Sequence, residues 1–127
     1  MILIIGGAFQ GKKRYAEEIL GILPEQMADG AVCGEGEIDT CRCMFHFQDW
    51  VRRRMPETED WEREAERIVQ ANPDVVLIAD ELGCGIVPAD AADRKFREME
   101  GRLLTCLAKE SREVHRVVCG IGTVIKG

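Results

Sequence analysis

The feature that most constrains this chain is a glycine-containing loop that follows a short apolar run. Met1–Ile5 is rich in β-branched residues, which favours a buried strand. After the loop, from Lys12 onward, apolar residues recur at helical spacing. A strand, a loop and a helix in this order, with the spacing G-x-x-x-x-G-K, predict a phosphate-binding loop. Its residues are Gly6, Gly7, Ala8, Phe9, Gln10, Gly11, Lys12 and Lys13.

The residue types of this loop suit an anion. Glycines let the backbone wrap closely, so that successive N–H groups point inward. The following helix adds the partial positive charge of its N-terminus, and Lys12 adds a full charge toward the outer phosphates. We therefore expect the loop to bind a nucleoside triphosphate, either ATP or GTP. The alternative is a glycine-rich turn that carries a solvated lysine.

The loop departs from the full motif at its last position. A Ser or Thr there would coordinate Mg²⁺ through its hydroxyl, whereas the ammonium group of Lys13 cannot bind a cation. Three alternatives follow. Lys13 supplies charge to the phosphates itself, or the metal is held from elsewhere, or turnover is weak.

A second candidate cluster, Asp80-Glu81, comes directly after the apolar run Val75–Ala79. In an open parallel sheet, the carboxyl ends of the strands face the ligand crevice. Asp80 is therefore predicted to hold Mg²⁺ through the water molecules of the ion. The alternative is a polar strand end that begins a solvated loop.

The third element is a histidine close to three arginines. We interpret Cys43–Arg54 as one helix, on which Asp49 and Arg53 lie on the same side as His46. An imidazole beside a carboxylate and guanidinium groups can act as a base or nucleophile toward a phosphoryl group. Arg53 and Arg54 are expected to bind nucleotide phosphates. The alternative is a surface histidine on a helix whose arginines are solvated.

The rest of the chain continues the alternation of strands and helices. Strands that alternate with helices predict a parallel sheet covered on both faces. We therefore predict one domain over residues 1–127, of α/β class, with three α/β/α layers around a small, mostly parallel sheet. The other predicted elements are a helix from Lys12 to Pro24, a short strand within Gln26–Cys33, a helix capped by Thr58 that stops at Asn72-Pro73, a long helix over Ala89–Ser111 and a strand over Val114–Cys119.

Charge and hydropathy exclude some partners. The chain has 17 Lys+Arg against 23 Asp+Glu, a formal net charge of −6, which argues against binding to nucleic acid. Met1–Ile5 is far shorter than the roughly 20 apolar residues of a transmembrane helix. It also has no preceding basic segment, so it does not have the pattern of a signal peptide. We expect a cytoplasmic protein with no membrane partner.

Two segments resemble a known family. The opening Ile2–Lys12 is similar to the start of the bifunctional adenosylcobinamide kinase/adenosylcobinamide-phosphate guanylyltransferases. Asp80–Pro88 is similar to their signature N-E-V-G-x-G-I-V-P, and the resemblance continues to the ending Cys119–Gly127. The middle of the family's sequence has no counterpart here. The chain therefore resembles a shortened, divergent member.

The resemblance implies a P-loop NTPase-like fold, a trimer and a role in cobalamin biosynthesis. Such enzymes phosphorylate adenosylcobinamide with a nucleoside triphosphate, then transfer GMP from GTP through a histidine–GMP intermediate. Carried over, Gly6, Gly11 and Lys12 match the phosphate loop, Glu81 matches the signature glutamate as a catalytic residue, and His46 is the candidate for the guanylylated histidine. The partners implied are a nucleoside triphosphate and a corrinoid.

Two functions remain open. The first is a kinase and nucleotidyltransferase that acts on a corrinoid, favoured by His46 and by the Asp80–Pro88 signature. The second is a nucleotide-binding sensor or partner protein that has lost the chemistry, favoured by Lys13 and by the missing middle.

Overall fold

The computed structural model describes residues 1–55, 57–81 and 90–127. Within them the chain forms one six-stranded sheet. The strands are β1 (Ile2–Gly6), β2 (Met27–Asp29), β3 (Cys43–Phe45), β4 (Val76–Asp80), β5 (Glu113–Val118) and β6 (Ile121–Lys126). The α-helices are α1 (Lys12–Ile19), α2 (Phe47–Arg54), α3 (Trp61–Ala71) and α4 (Ala91–Glu110), and short 3₁₀ turns cover Pro24–Gln26 and Glu37–Asp39.

The strand order is β2-β3-β4-β1-β5-β6. All neighbouring strands run parallel except β5 and β6, which are antiparallel. β1 lies between β4 and β5, so that Ile4 is opposite both Ile78 and His115. Because β1, β3 and β4 are parallel, their carboxyl ends lie at the same edge of the sheet, where ligands bind in folds of this kind. The predicted α/β class and mostly parallel sheet are confirmed.

The two faces of the sheet carry separate apolar clusters. Alternate residues of a strand point to opposite faces, so Leu3 and Leu77 pack with α2, α3 and α4. Ile4 and Ile78 instead pack with Ala16 of α1. The helices thus cover both faces, as the predicted three-layer arrangement requires.

The prediction of one helix over Cys43–Arg54 is wrong in its first part. Cys43–Phe45 is a strand, His46 has a positive φ of 53°, and α2 begins only at Phe47. Cys43 and Met44 are fully buried, and their backbone pairs with β2 on one side and β4 on the other. Burial between two neighbours in the sheet therefore overrides the helical spacing of the apolar residues.

Two further boundaries differ from the prediction. Asp60, not Thr58, caps α3, because its carboxylate accepts a hydrogen bond from the Arg63 N–H at 3.1 Å. β6 was not predicted, and it forms a hairpin with β5 through Cys119 and Gly120, which both have positive φ. A cysteine at positive φ is not a turn signal that a sequence reveals.

Strand β6 is an edge of the sheet. Ile121, Val124 and Ile125 on it are exposed, so this edge is open to a second copy. Self-association, which the family resemblance implies, stays a prediction. Among the described residues, no helix has the length and apolar character needed to cross a bilayer.

Helix α4 carries a buried carboxyl group behind the end of β4. Glu100 is only 2% exposed, and within the described part of the chain its Oε1 atom has no hydrogen-bond partner. Burial, and then the negative charges of Asp80 and Glu81, raise the pKa of Glu100 to about 8. This carboxyl is therefore mostly protonated at neutral pH.

The raised pKa of Glu100 predicts how stability depends on pH. In the unfolded chain Glu100 ionises near pH 4.5, so between that pH and about 8 the folded state binds more protons. Its contribution to stability is therefore complete below pH 4.5 and is lost as pH rises through about 8. Relative to the wild type, Glu100→Gln should become more stable as pH rises through this range, by up to roughly 5 kcal/mol. Urea unfolding at several pH values measures this difference, with the exposed Glu110→Gln as control. Parallel pH profiles of stability for Glu100→Gln and the wild type would contradict the raised pKa of Glu100.

Candidate functional site

The phosphate loop connects β1 to α1, and two glycines give it its shape. A Cβ atom on Gly6 would collide with the Val117 carbonyl oxygen of β5, so the close approach of these strands requires glycine. Gly11, with φ of 84°, turns the chain into α1 and has no side chain that could cap the first N–H groups of the helix. Among the described residues, no N-cap side chain accepts from the first N–H groups of α1, which therefore suit an anion.

The top of the loop is held by the β5–β6 hairpin. The side-chain oxygen of Gln10 accepts a hydrogen bond from the Cys119 N–H at 2.6 Å, and the backbone carbonyl of Gln10 accepts one from the Gly120 N–H at 2.8 Å. Phe9, next to Gln10, has φ of 60° and a fully exposed side chain. Strain of this kind in a non-glycine residue is typical of functional loops.

Lys12 folds back across the loop toward β4. Its Nζ atom donates a hydrogen bond to the Gly7 carbonyl at 2.7 Å and lies 2.6 Å from Oδ1 of Asp80. The Lys12 side chain is 6% exposed, which is unusual for lysine and indicates a fixed position. The structure thus brings together Lys12 and Asp80, which the sequence placed in separate clusters.

Gln48, which no sequence motif singles out, holds the same carboxylate. Its Nε2 atom donates to Oδ2 of Asp80 at 3.3 Å, and its Oε1 atom accepts from the Asp80 N–H at 3.1 Å. Gln48 is buried in the first turn of α2, which follows β3 at the same edge of the sheet. No sequence signal identifies Gln48, because both its burial and the strand that precedes α2 appear only in the folded structure.

The predicted magnesium site does not fit these residues. Oδ1 of Asp80 is already paired with the Lys12 ammonium group, and Oδ2 already accepts a hydrogen bond from Gln48. Lys13 brings an ammonium group in place of a hydroxyl, and its Nζ atom lies 4.2 Å from the centroid of the Phe45 ring. In the part of the chain that the structure describes, no group of three or more His, Cys, Asp or Glu residues could hold a metal ion.

His46 lies between β3 and α2, outside the helix in which the sequence placed it. Its Nδ1 atom is 2.9 Å from Oδ1 of Asp29, which also accepts the Ala31 N–H at 2.9 Å. Burial raises the pKa of Asp29, but these hydrogen bonds and the electrostatic interactions with His46 and Lys13 outweigh burial, so the net shift of the pKa is downward. An ionised carboxylate only accepts, so Nδ1 carries the proton that points to Asp29. In a neutral ring, Nε2 then keeps its lone pair.

The structure does not bring Arg53 and Arg54 to the loop. Arg53 donates hydrogen bonds to the backbone carbonyls of Gly30 at 2.9 Å and Cys33 at 2.7 Å, and these bonds hold the segment after β2 in place. Arg54 forms ion pairs, at 2.6 Å with Glu57 and at 3.1 Å with a second carboxylate. Both guanidinium groups are therefore occupied with the protein's own carbonyls and carboxylates.

Arg52 is the arginine of this run that lines the cavity beside the loop. It lies four residues after Gln48 on the same face of α2. Its guanidinium group is 4.2 Å from the centroid of the Phe96 ring and 3.7 Å from Asp93. Helical spacing counted from Gln48, instead of from His46, would have selected it.

The loop, Asp80, Gln48, Arg52 and His46 all border one cavity of about 1110 Å³. A volume of this size is sufficient for a nucleotide. The other predicted catalytic residue, Glu81, lies beside it: its N–H donates to the Gly6 carbonyl at 2.8 Å and its side chain is 3.3 Å from Arg116. The remainder of the Asp80–Pro88 signature, Leu82–Pro88, lies outside the described residues.

Comparisons with known proteins point to one family. The family model described as cobinamide kinase / cobinamide phosphate guanyltransferase matches residues 40–125. The bifunctional adenosylcobalamin biosynthesis protein CobU of Salmonella typhimurium is 27% identical over 180 aligned positions that cover 99% of both chains. The Escherichia coli protein of the same name is 27% identical over 182 positions, with the same coverage. Because this chain has only 127 residues, the relatives contain segments that it lacks.

The pair of hydrogen bonds between Gln48 and Asp80 predicts a loss of stability when it is removed. Gln48→Met keeps the size of the side chain but leaves the Asp80 N–H without its acceptor. We expect the free energy of unfolding to fall by about 1–3 kcal/mol. Urea unfolding at pH 7 measures this, with Gln70→Met on the exposed face of α3 as the control, expected to change stability by less than ~0.5 kcal/mol. Equal stabilities of the two variants would show that the hydrogen bonds between Gln48 and Asp80 do not contribute to the free energy of unfolding.

Proposed function

Because the chain belongs to the cobinamide kinase / cobinamide phosphate guanyltransferase family, we propose that it binds ATP or GTP in the cavity beside the loop. We further propose that it transfers a phosphoryl or GMP group from this nucleotide to a corrinoid in cobalamin biosynthesis. The observation that carries the proposal is the loop itself, with uncapped N–H groups at the start of α1 and the buried Lys12 beside them.

Phosphate binding uses charges that are already in position. Lys12 is held between the Gly7 carbonyl and Asp80, so binding needs little additional ordering of its side chain. A triphosphate carries several negative charges, so it attracts the ammonium group more strongly than the single carboxylate of Asp80 does. Arg52, which lines the same cavity, can add a further positive charge.

Transfer of GMP needs a nucleophile, and we assign this role to His46. Its ring borders the same cavity as Lys12, and Asp29 holds Nδ1–H so that Nε2 is the nucleophilic nitrogen. In the proposed step Nε2 attacks the α-phosphorus of GTP, and the bond to pyrophosphate breaks as the N–P bond forms. The carboxylate of Asp29 stabilises the positive charge that the imidazole gains. The GMP group then passes to the phosphate of the corrinoid.

A second candidate function is nucleotide binding without transfer, in a sensor or partner protein of the same family. It is favoured by Lys13, which replaces the hydroxyl group of the motif, and by the segments of the relatives that this chain lacks. Both functions require the loop to bind a triphosphate. They differ in whether a group leaves the nucleotide.

The assignment of the loop predicts the effect of removing Lys12. Lys12→Ala should weaken the binding of ATP and GTP by about 30-fold or more, roughly 2 kcal/mol, because a charge-assisted contact is lost. Calorimetric titration measures the affinity, and thermal unfolding followed by circular dichroism checks the fold of the variant. Lys109→Ala, at the exposed end of α4, is the control and should bind as the wild type does. Unchanged affinity in Lys12→Ala would exclude the loop as the phosphate site.

Covalent labelling distinguishes the two functions. GTP labelled at its α-phosphate should leave an acid-labile label on the wild-type chain, since phosphorus–nitrogen bonds to histidine hydrolyse in acid. His46→Ala should carry no label, and Asp29→Asn should label more slowly. Lys109→Ala should label normally. If the wild type binds GTP but gains no label, GMP transfer through His46 is wrong and binding without GMP transfer is favoured.

A further inference from the structure

Lys13, the residue after Lys12, places an ammonium group at the cavity beside the loop. In loops of this kind a hydroxyl at that position coordinates the Mg²⁺ ion that bridges the outer phosphates. Lys13 occupies the same position in the first turn of α1, and its side chain lines the cavity together with Lys12. Lys13 therefore places a positive charge at the position where the motif normally provides a ligand for a metal ion.

The aromatic ring of Phe45 holds this ammonium group in place. The Lys13 Nζ atom lies 4.2 Å from the ring centroid, within the range of a cation–π contact. Phe45 ends β3, and its ring contacts that of His46 edge-on at 4.8 Å between centroids. An aromatic face orients a cation but does not neutralise it, so the charge of Lys13 remains available for an anion.

Two nearby carboxylates are committed to other groups. Asp80 is paired with Lys12 and clamped by Gln48, and Asp29 accepts hydrogen bonds from Ala31 and His46. Asp29 still attracts Lys13 electrostatically, which helps to keep the ammonium group at this side of the cavity. A divalent cation placed at the usual position would be repelled by Lys13.

We propose that the ammonium group of Lys13 replaces the divalent cation, so that the chain binds nucleoside triphosphates that carry no Mg²⁺. Nζ of Lys13 then contacts the β- and γ-phosphate oxygens that the metal would bridge. This inference rests on the proposed function and deepens it, because it specifies the ionic form of the nucleotide that the same loop binds.

The test compares ATP binding by the full chain in EDTA and in excess Mg²⁺, measured by calorimetric titration. The wild type should bind ATP in EDTA with an affinity within threefold of that in Mg²⁺. Lys13→Ser restores the hydroxyl of the motif, and it should bind at least tenfold more weakly than the wild type in EDTA and recover affinity in Mg²⁺. Lys13→Gln keeps the length of the side chain without its charge, and it should be weak in both buffers. Lys109→Ser removes a lysine from an exposed position and should behave as the wild type does.

Each outcome bears on a defined claim. If Mg²⁺ strengthens ATP binding to the wild type by tenfold or more, or if Lys13→Ser and Lys13→Gln lose no affinity in EDTA, Lys13 does not replace the metal. The loop would then still be the nucleotide site. If the wild type binds neither ATP nor GTP in either buffer, the proposed function itself is wrong. Circular dichroism spectra check that the variants fold. A further variant, Phe45→Leu, tests whether the ring positions the ammonium group of Lys13, and its affinity for ATP in EDTA is expected to fall a few-fold.

Discussion

The pairing of β1 with β4 is the constraint on which the site depends. Their parallel register places Gly6 opposite Asp80, so the first residue of the loop and the last residue of β4 meet at one edge of the sheet. The Glu81 N–H then reaches the Gly6 carbonyl at 2.8 Å, and Lys12 reaches Asp80 across the loop. A slip of one residue would exchange the packed side chains of β1 between two differently shaped apolar clusters, so packing on both faces of the sheet enforces the register of the site.

The charges around the site explain how an acidic chain can hold an anion. Lys12 and Asp80 cancel each other, and burial raises the pKa of Glu100, so that its carboxyl is mostly protonated at neutral pH. Protonation of Glu100 therefore removes one negative charge from the surroundings of Asp80. The formal net charge of −6 belongs mostly to the exposed surface and describes the site poorly. Local arrangement of charge decides which ligands such a protein attracts.

Much of the fold, including the loop between β1 and α1, could be predicted from the sequence, because it depends on local signals; phosphate binding by this loop stays a prediction. Apolar runs such as Met1–Ile5 and the spacing of Gly6, Gly11 and Lys12 are visible without any tertiary contact. The segment around His46 could not be read in this way. Its strand exists because two neighbours in the sheet supply backbone partners, and they are distant in sequence. The same limit applies to the cluster Arg52-Arg53-Arg54, since only the packed structure shows that Arg52 lies on the face of α2 that borders the cavity.

In the proposed function, nucleotide binding and group transfer depend on different parts of this structure. The proposed binding rests on the loop, whose backbone is fixed by Gln10 and by the β5–β6 hairpin. The proposed transfer requires a nucleophile with its ring held in one orientation, and Asp29 holds the ring of His46 at the ends of two neighbouring parallel strands. Lys13 lies between these two parts, because it contacts Phe45 beside His46 and follows Lys12 in the loop. On this proposal, we expect a change at Lys13 to alter how the charge of the nucleotide is neutralised while the fold and the loop stay intact.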